Sequence, residues 1–461
     1  MDDVVYIIGA GIAGLGAAHF VRQQGRIPVV LEATDTVGGR AGAIEHDGVS
    51  YEIGGKNFAS DWKLFNGILR GFHSLSFDRQ HPNFHIVLDG KVYGFDKRST
   101  LTNGLGMMRA IGLRSVLQFN ALLRRAGRPG APVRYYDGSS AALERRYDGR
   151  PLSAHVPAGL ARGPLRMFTI IMGAAEPDEF SYATLMMLLS SFGKGSHHSL
   201  PETTAHLFAH LSQGVEIRRR HEVRRVVLEA GGVKALEGRS PAGAFSIDAR
   251  AVIVATPLHR LAQIVALPPG AQWAASRIPY HPLALINADY ETDVFTPEMN
   301  SIMFDPDSPL GHCSANRMHK RHSVRFTLAG RRARPLLTQD DASLLAIAED
   351  AFRRVHPLPG KAVFAHVRRH GDGLCAYGFG YSDSRRSLLA GLKPIQGLAV
   401  AGDYLYGHNM EGCLQSAMAA TRHLSGAEGA YDRSYDYPDG ADPAGAAAAV
   451  PAGADALRSP A

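Results

Sequence analysis

The spacing of apolar residues changes along the chain, and those changes mark its elements. An apolar run, Val4-Val5-Tyr6-Ile7-Ile8, predicts a buried strand. After a glycine-rich turn, Ile12, Leu15, Ala18 and Val21 recur on one face and predict a helix over 12–24, stopped by Gly25. A second strand, 28–31, ends in Glu32, and a third runs over 49–58. The pattern over 61–199 is mostly helical, after a hairpin at 85–94 that turns on Asp89-Gly90. Helices are predicted over 105–125, 141–148, 159–172, 182–192 and 201–212. Arginines at 218–220 and 224–225 interleave with Val215, Ile217, Val223, Val226 and Val227, as in a strand pair with one wet face. The five apolar residues 251–255 suit a buried parallel strand. Strand-like pieces at 283–288, 323–329 and 362–367 then frame a helix over 340–355. A last buried strand delivers Gly402-Asp403, and a small-residue helix begins near Met410.

The first forty residues carry the clearest chemistry. Strand, Gly9-Ala10-Gly11-Ile12-Ala13-Gly14, helix and a second strand ending in a carboxylate form a βαβ unit for the diphosphate and ribose of a dinucleotide. Gly9 permits the turn, Gly11 lets a pyrophosphate reach the backbone, and Gly14 lets the helix pack on the strand. The helix N-terminus adds free N–H groups and partial positive charge. Glu32, followed by Ala33, can accept both ribose hydroxyls. Six residues after Glu32 come Gly38-Gly39-Arg40, whose amides and guanidinium suit a diphosphate. The third strand ends in another glycine pair, Gly54-Gly55-Lys56-Asn57.

From Val4 to Phe58 the chain resembles the FAD-dependent amine oxidase, protoporphyrinogen oxidase and phytoene desaturase superfamily. The resemblance implies FAD as cofactor and places Gly54, Gly55, Lys56 and Asn57 beside the isoalloxazine ring. It also implies that the backbone of Val223 meets the adenine. Asp403 then serves the ribityl or diphosphate region, and the helix start at Met410-Glu411-Gly412 faces the flavin pyrimidine. The chain departs from the family in having Glu52 for Asp and a charged Lys56. A lysine beside a flavin favours its anionic reduced form; the alternative is that Lys56 points away. Many amine oxidases carry a lysine on the strand matching 282–290. The nearest register places Leu285 there, with no lysine between Ala274 and Met318. Tyr377 falls where the family often sets an aromatic residue at the flavin, and Cys375 is a conceivable covalent attachment point.

The implied architecture is α/β: a Rossmann-type, glutathione-reductase-like FAD-binding domain with an interleaved α+β substrate domain. The expected FAD domain is discontinuous (1–75, 205–268 and 368–428), the substrate domain occupies 76–204 and 269–367, and a disordered tail spans 429–461. The excess of +7 comes from scattered arginines, so nucleic acid is not expected as a partner. Three cysteines without CxxC spacing suggest neither disulfides nor zinc, and no apolar stretch is long enough to cross a bilayer. A cytoplasmic location is the expectation. His206 and His210 share a helix face, but no third metal ligand is evident, and none is expected.

The expected function is FAD-dependent dehydrogenation or desaturation of a small, largely apolar or aromatic substrate by hydride transfer to flavin N5. Lys56 and Tyr377 are the candidate catalytic residues. The electron acceptor, oxygen or a quinone among others, and the oligomeric state stay open. Rival readings are an amine or amino-acid oxidase, a redox-neutral flavin isomerase, and a carrier of the GDP-dissociation-inhibitor type.

Overall fold

The computed structural model describes residues 3–71, 78–80, 84–94, 100–126, 140–191, 197–200, 204–317 and 320–438. At its centre is the strand Val4–Ile8, whose Val5 and Ile7 are wholly buried. It pairs in parallel with Ile27–Leu31 on one side and Val252–Val254 on the other. Glu216–Arg218 and Leu398–Val400 complete the parallel five-stranded sheet at its two edges. Three of these strands come from beyond residue 215, so the sheet gathers segments far apart in the chain. The helix Ile12–Gln23 covers it and packs on the C-terminal helix Met410–Leu424.

A second, seven-stranded sheet runs in the order Phe364–Cys375, Tyr280–Asp289, Lys320–Leu328, Leu310–Arg317, Ser301–Met303, Phe84–Leu88, Lys91–Gly94. Side chains alternate across it. Ile286, Val324, Phe326 and Leu328 form a core with Leu344, Ala348 and Phe352 of the helix Asp341–Arg353. The opposite face carries Asn287, Ser314 and Arg325, which reach back to the 52–56 segment. Leu285 and Met303 leave the sheet on the same side as a core shared with the helices Arg166–Gly173 and Tyr182–Ser191.

Several elements differ from the expected ones. The helix expected over 105–125 is two, Thr100–Ile111 and Leu113–Ala126, because Gly112 takes φ +83° between them. The one expected over 159–172 is interrupted at Gly163-Pro164, before Arg166–Gly173. The arginine-rich stretch is not one strand pair. Glu216–Arg218 joins the parallel sheet, whereas Glu222–Glu229 pairs with Gly232–Ser240 in a separate antiparallel sheet. Strand Phe364–Cys375 stays in the seven-stranded sheet well past 367, so the boundary expected at 367/368 falls inside it.

The disordered tail expected from 429 is contradicted over its first ten residues. Tyr431 exchanges hydrogen bonds with the main chain of Val400, and the Tyr437 hydroxyl accepts from Gln23. Tyr431, Tyr435 and Tyr437 therefore fix 429–438 to the parallel-sheet domain, and of the expected tail only 439–461 lie outside the described residues. The end of the helix expected over 182–192 and the start of that over 201–212 also fall outside them. Among the described residues, no helix is long and apolar enough to cross a membrane.

Candidate functional site

The glycine turn is built as its spacing requires. A Cβ on Gly14 would lie 1.9 Å from the Gly9 carbonyl oxygen, so helix and strand can close only around glycine there. A Cβ on Gly11 would meet nothing within 4 Å, so this position faces open space. Ile12 and Ala13 turn their side chains into the core. Glu32 stands at the end of its strand. Its Oε2 accepts from the Ala10 N–H at 2.7 Å, and its Oε1 from the Thr34 N–H at 2.9 Å. Ala33 is exposed beside it. Gly38, at φ +103°, donates its N–H to the Ala10 carbonyl at 2.8 Å. The two glycine loops thus lie side by side, with Gly39 against Gly11.

Arg40 joins the N-terminal motif to the C-terminal one, 363 residues away. Its Nη1 donates to Asp403 Oδ2 at 2.9 Å and to the Gly373 carbonyl at 2.8 Å, while its guanidinium lies 5.4 Å from the Tyr280 ring centre. The Tyr280 hydroxyl donates to the other Asp403 oxygen at 2.7 Å. Burial pushes the Asp403 carboxyl up, but Arg40 and Tyr280 outweigh it and hold the group below its ordinary value. Gly402 places Asp403 by donating its N–H to Ser416 Oγ at 2.9 Å. Tyr377 lies beneath this cluster. Its hydroxyl donates to the Asp403 carbonyl at 2.8 Å, its ring is 1% exposed, and its backbone takes φ +42°. A positive φ in a bulky residue is strained and persists where packing over-determines it.

Near the other end, the Gly54 carbonyl accepts from Arg325 and Gly55 is open to its surroundings. Asn57 is exposed. Lys56 Nζ donates to the Ala315 carbonyl at 2.6 Å, the Asn316 carbonyl at 3.1 Å and Ser314 Oγ at 3.3 Å. Burial, with Arg325 beside it, lowers the Lys56 pKa to about 7. At the start of helix Met410–Leu424, Asn409 accepts from the Gly412 N–H at 2.6 Å. Met410 is buried. The Glu411 side chain turns away from the Asp403 cluster and accepts from the Leu64 and Phe65 N–H groups, capping helix Lys63–Leu69. Val223 is buried in the antiparallel sheet opposite Gly238. The Cys375 thiol is fully buried, which pushes its pKa up. Among the described residues no group of three potential metal ligands forms.

The structure adds residues the sequence did not single out. Thr256 Oγ1, His259 Nδ1 and His408 Nδ1 are shielded from solvent and have no hydrogen-bond partner among the described residues. Thr256 lies against Gly9, and both histidines feel the Asp403 charge. Polar atoms orphaned beside an open glycine turn and an arginine suit a phosphate-bearing ligand, since burial without a partner is costly. Tyr280 appeared in the sequence only as part of a chain exit. Arg325 lay unremarked in the strand-like piece 323–329, where it is a buried charge.

The protein-family model for flavin-containing amine oxidoreductases matches residues 12–425. A flavin-containing amine oxidase of Oncorhynchus mykiss is 46% identical over 97 residues, 20% of this chain and only 18% of that relative's own length. Wild-type putrescine oxidase, solved with putrescine bound, superposes with a TM-score of 0.72 at 16% identity over 92% of this chain and 99% of that one. Cyclohexylamine oxidase from Brevibacterium oxydans IH-35A superposes at 0.68 and 15% identity, over 92% and 99%. The architecture is therefore the mixed α/β fold of these proteins, with a Rossmann-type FAD domain.

Proposed function

The chain belongs to the flavin-containing amine oxidoreductase family, and on that premise we propose that it dehydrogenates or desaturates a small, largely apolar or aromatic substrate. It is an FAD-dependent oxidoreductase; the substrate and the bond attacked are the proposal. When bound, FAD supplies a two-electron acceptor at N5. The residues that would hold it are Gly9 to Gly14, Glu32 and Ala33 at the adenosine end, and Gly38, Gly39 and Arg40 at the diphosphate. Asp403, held below its ordinary pKa by Arg40 and Tyr280, would orient the same region, and Gly54 to Asn57 would border the ring. The work of the chain is to hold a reacting C–H in place and exclude water.

One observation carries the choice of C–H dehydrogenation. Leu285, the register match for the family's lysine, is 4% exposed and lies between Thr327 and Arg368 on its neighbouring strands. No amine stands there to hold a water. Amine oxidation is the second reading, favoured by the stretch shared with the Oncorhynchus mykiss enzyme. The test is anaerobic bleaching of the bound flavin by a panel of amines, polyenes and aromatic metabolites. Bleaching by non-amine C–H donors is expected, and bleaching by amines alone would overturn the reading.

A further inference from the structure

The described charges around the 52–56 segment do not balance. Glu52, 5% exposed, is paired with Arg317, whose Nη2 lies 3.0 Å from Oε1 and whose Nη1 donates to the Leu200 carbonyl at 2.6 Å. Glu52 is the carboxylate whose charge acts on both Lys56 and Arg325, and neither cation forms an ion pair of its own among the described residues. Lys56 is left with two carbonyls and a hydroxyl, and Arg325, 9% exposed, with the Gly54 carbonyl. Two cations therefore share a buried region with no anion of their own. Such burial costs several kcal/mol per ion unless a counter-charge is supplied.

Arg325 lies on the face of the seven-stranded sheet that looks toward Gly54, and Lys56 reaches that face from the opposing loop, next to the open position Gly55. The neighbouring part of that sheet is apolar, with Leu283, Leu285 and Met303 in one core with Ile170 and Met186. A cationic end next to an apolar stretch suits a molecule with an apolar body and an anionic head. We propose that Lys56 and Arg325 bind the carboxylate of the substrate. This rests on the dehydrogenase reading above and narrows its substrate to an apolar or aromatic carboxylic acid. Arg325 supplies a planar fork fixed in a strand, and Lys56 a point charge from the opposing loop.

The groups facing Lys56 are Glu52, Arg317, Arg325, Cys313 and His312. A bound carboxylate would favour the charged ammonium, so affinity falls as pH rises from 6 to 9. The Lys56→Gln variant loses that dependence.

The test is isothermal titration calorimetry and flavin difference spectroscopy on the purified, FAD-loaded full chain. The probes are benzoate and octanoate against their neutral amides, benzamide and octanamide. Expected are carboxylate affinities roughly tenfold or more above those of the amides, since hydrogen bonds to charged groups are worth that much. Arg325→Gln and Lys56→Gln, each compared at the wild-type FAD-to-protein ratio, should each lower the ratio of carboxylate to amide affinity about tenfold. Arg325→Lys should restore part of the loss. If Arg325→Gln fails to fold, Lys56→Gln carries the test.

Amides that bind as tightly as the acids, carboxylates that fail to bind at millimolar concentration, or variants that bind them unchanged would overturn the proposal. In the last case the two cations serve the reduced flavin instead. No turnover is needed. An enzyme that binds these acids but is bleached only by amines would keep the carboxylate site and lose the dehydrogenase reading.

Discussion

Replacing Asp403 with asparagine tests the joint between the two ends of the chain. The substitution keeps shape and removes one charge. In the native protein, Asp403 accepts from Arg40 at 2.9 Å and from Tyr280 at 2.7 Å. Its side chain is 3% exposed and that of Arg40 is 33%. Opposite charges about 4 Å apart are worth about 4 kcal/mol at an effective dielectric constant near 20. Water reaching the Arg40 side takes back part of this, leaving a cost of about 2–3 kcal/mol. For a chain of this size, whose unfolding entropy is about 1 kcal/mol/K, that lowers Tm by roughly 2–3 °C.

The pH dependence has a definite sign. The folded carboxyl sits below its ordinary value, so its contribution is present above the unfolded pKa of about 4. It is lost as pH falls through the lower, folded value. The gap in Tm between wild type and Asp403→Asn should be full at pH 6–8 and shrink below about pH 4. Differential scanning fluorimetry with and without added FAD reads both. A gap under about 1 °C at neutral pH, or one undiminished at pH 3, would refute the joint as the source of stability.

Gly14→Val puts its first side-chain carbon 1.9 Å from the Gly9 carbonyl, so the turn must open; flavin content after purification should fall severalfold, read by the ratio of visible to ultraviolet absorbance. Tyr437→Ala removes a ring packed on Gly67 and its hydroxyl contacts with His19 and Gln23, which should cost about 2–4 kcal/mol in chemical denaturation. Tyr377→Phe deletes the hydroxyl that holds the Asp403 carbonyl, and should slow anaerobic flavin reduction while lowering Tm by only about 1 °C. An unchanged reduction rate would remove Tyr377 from the functional set.

What was legible in the sequence was what depends on local spacing. The Val4 to Glu32 unit, the glycine pairs and the Gly402-Asp403 stretch are contiguous motifs, and each folds as its own spacing requires. The partnership of Arg40 with Asp403 and Tyr280 was not legible, because it spans most of the chain and is set by sheet topology. The same holds for Arg325, whose neighbour Lys56 comes from a different part of the fold. Glu411 is expected at the flavin through the N–H groups of its helix start, and its side chain has a separate task. It meets the first turn of a helix 347 residues earlier, a contact no local pattern reveals. The tail was misjudged because Ala, Gly and Pro dominate its composition, while three tyrosines decide where its first part goes. Gly112 broke an apolar pattern that otherwise continued through it.

The open glycine turn at Gly11, flanked by Gly38 and Arg40, is the proposed seat of FAD. The direct measurement is the FAD-to-protein ratio of purified wild type and of Gly11→Leu, whose new side chain would fill the open space without meeting protein atoms at its first carbon. Wild type should carry flavin bands at a ratio approaching one, and Gly11→Leu should be nearly colourless with an unchanged circular dichroism spectrum. A colourless wild type, or a Gly11→Leu protein that keeps its flavin, would contradict the account.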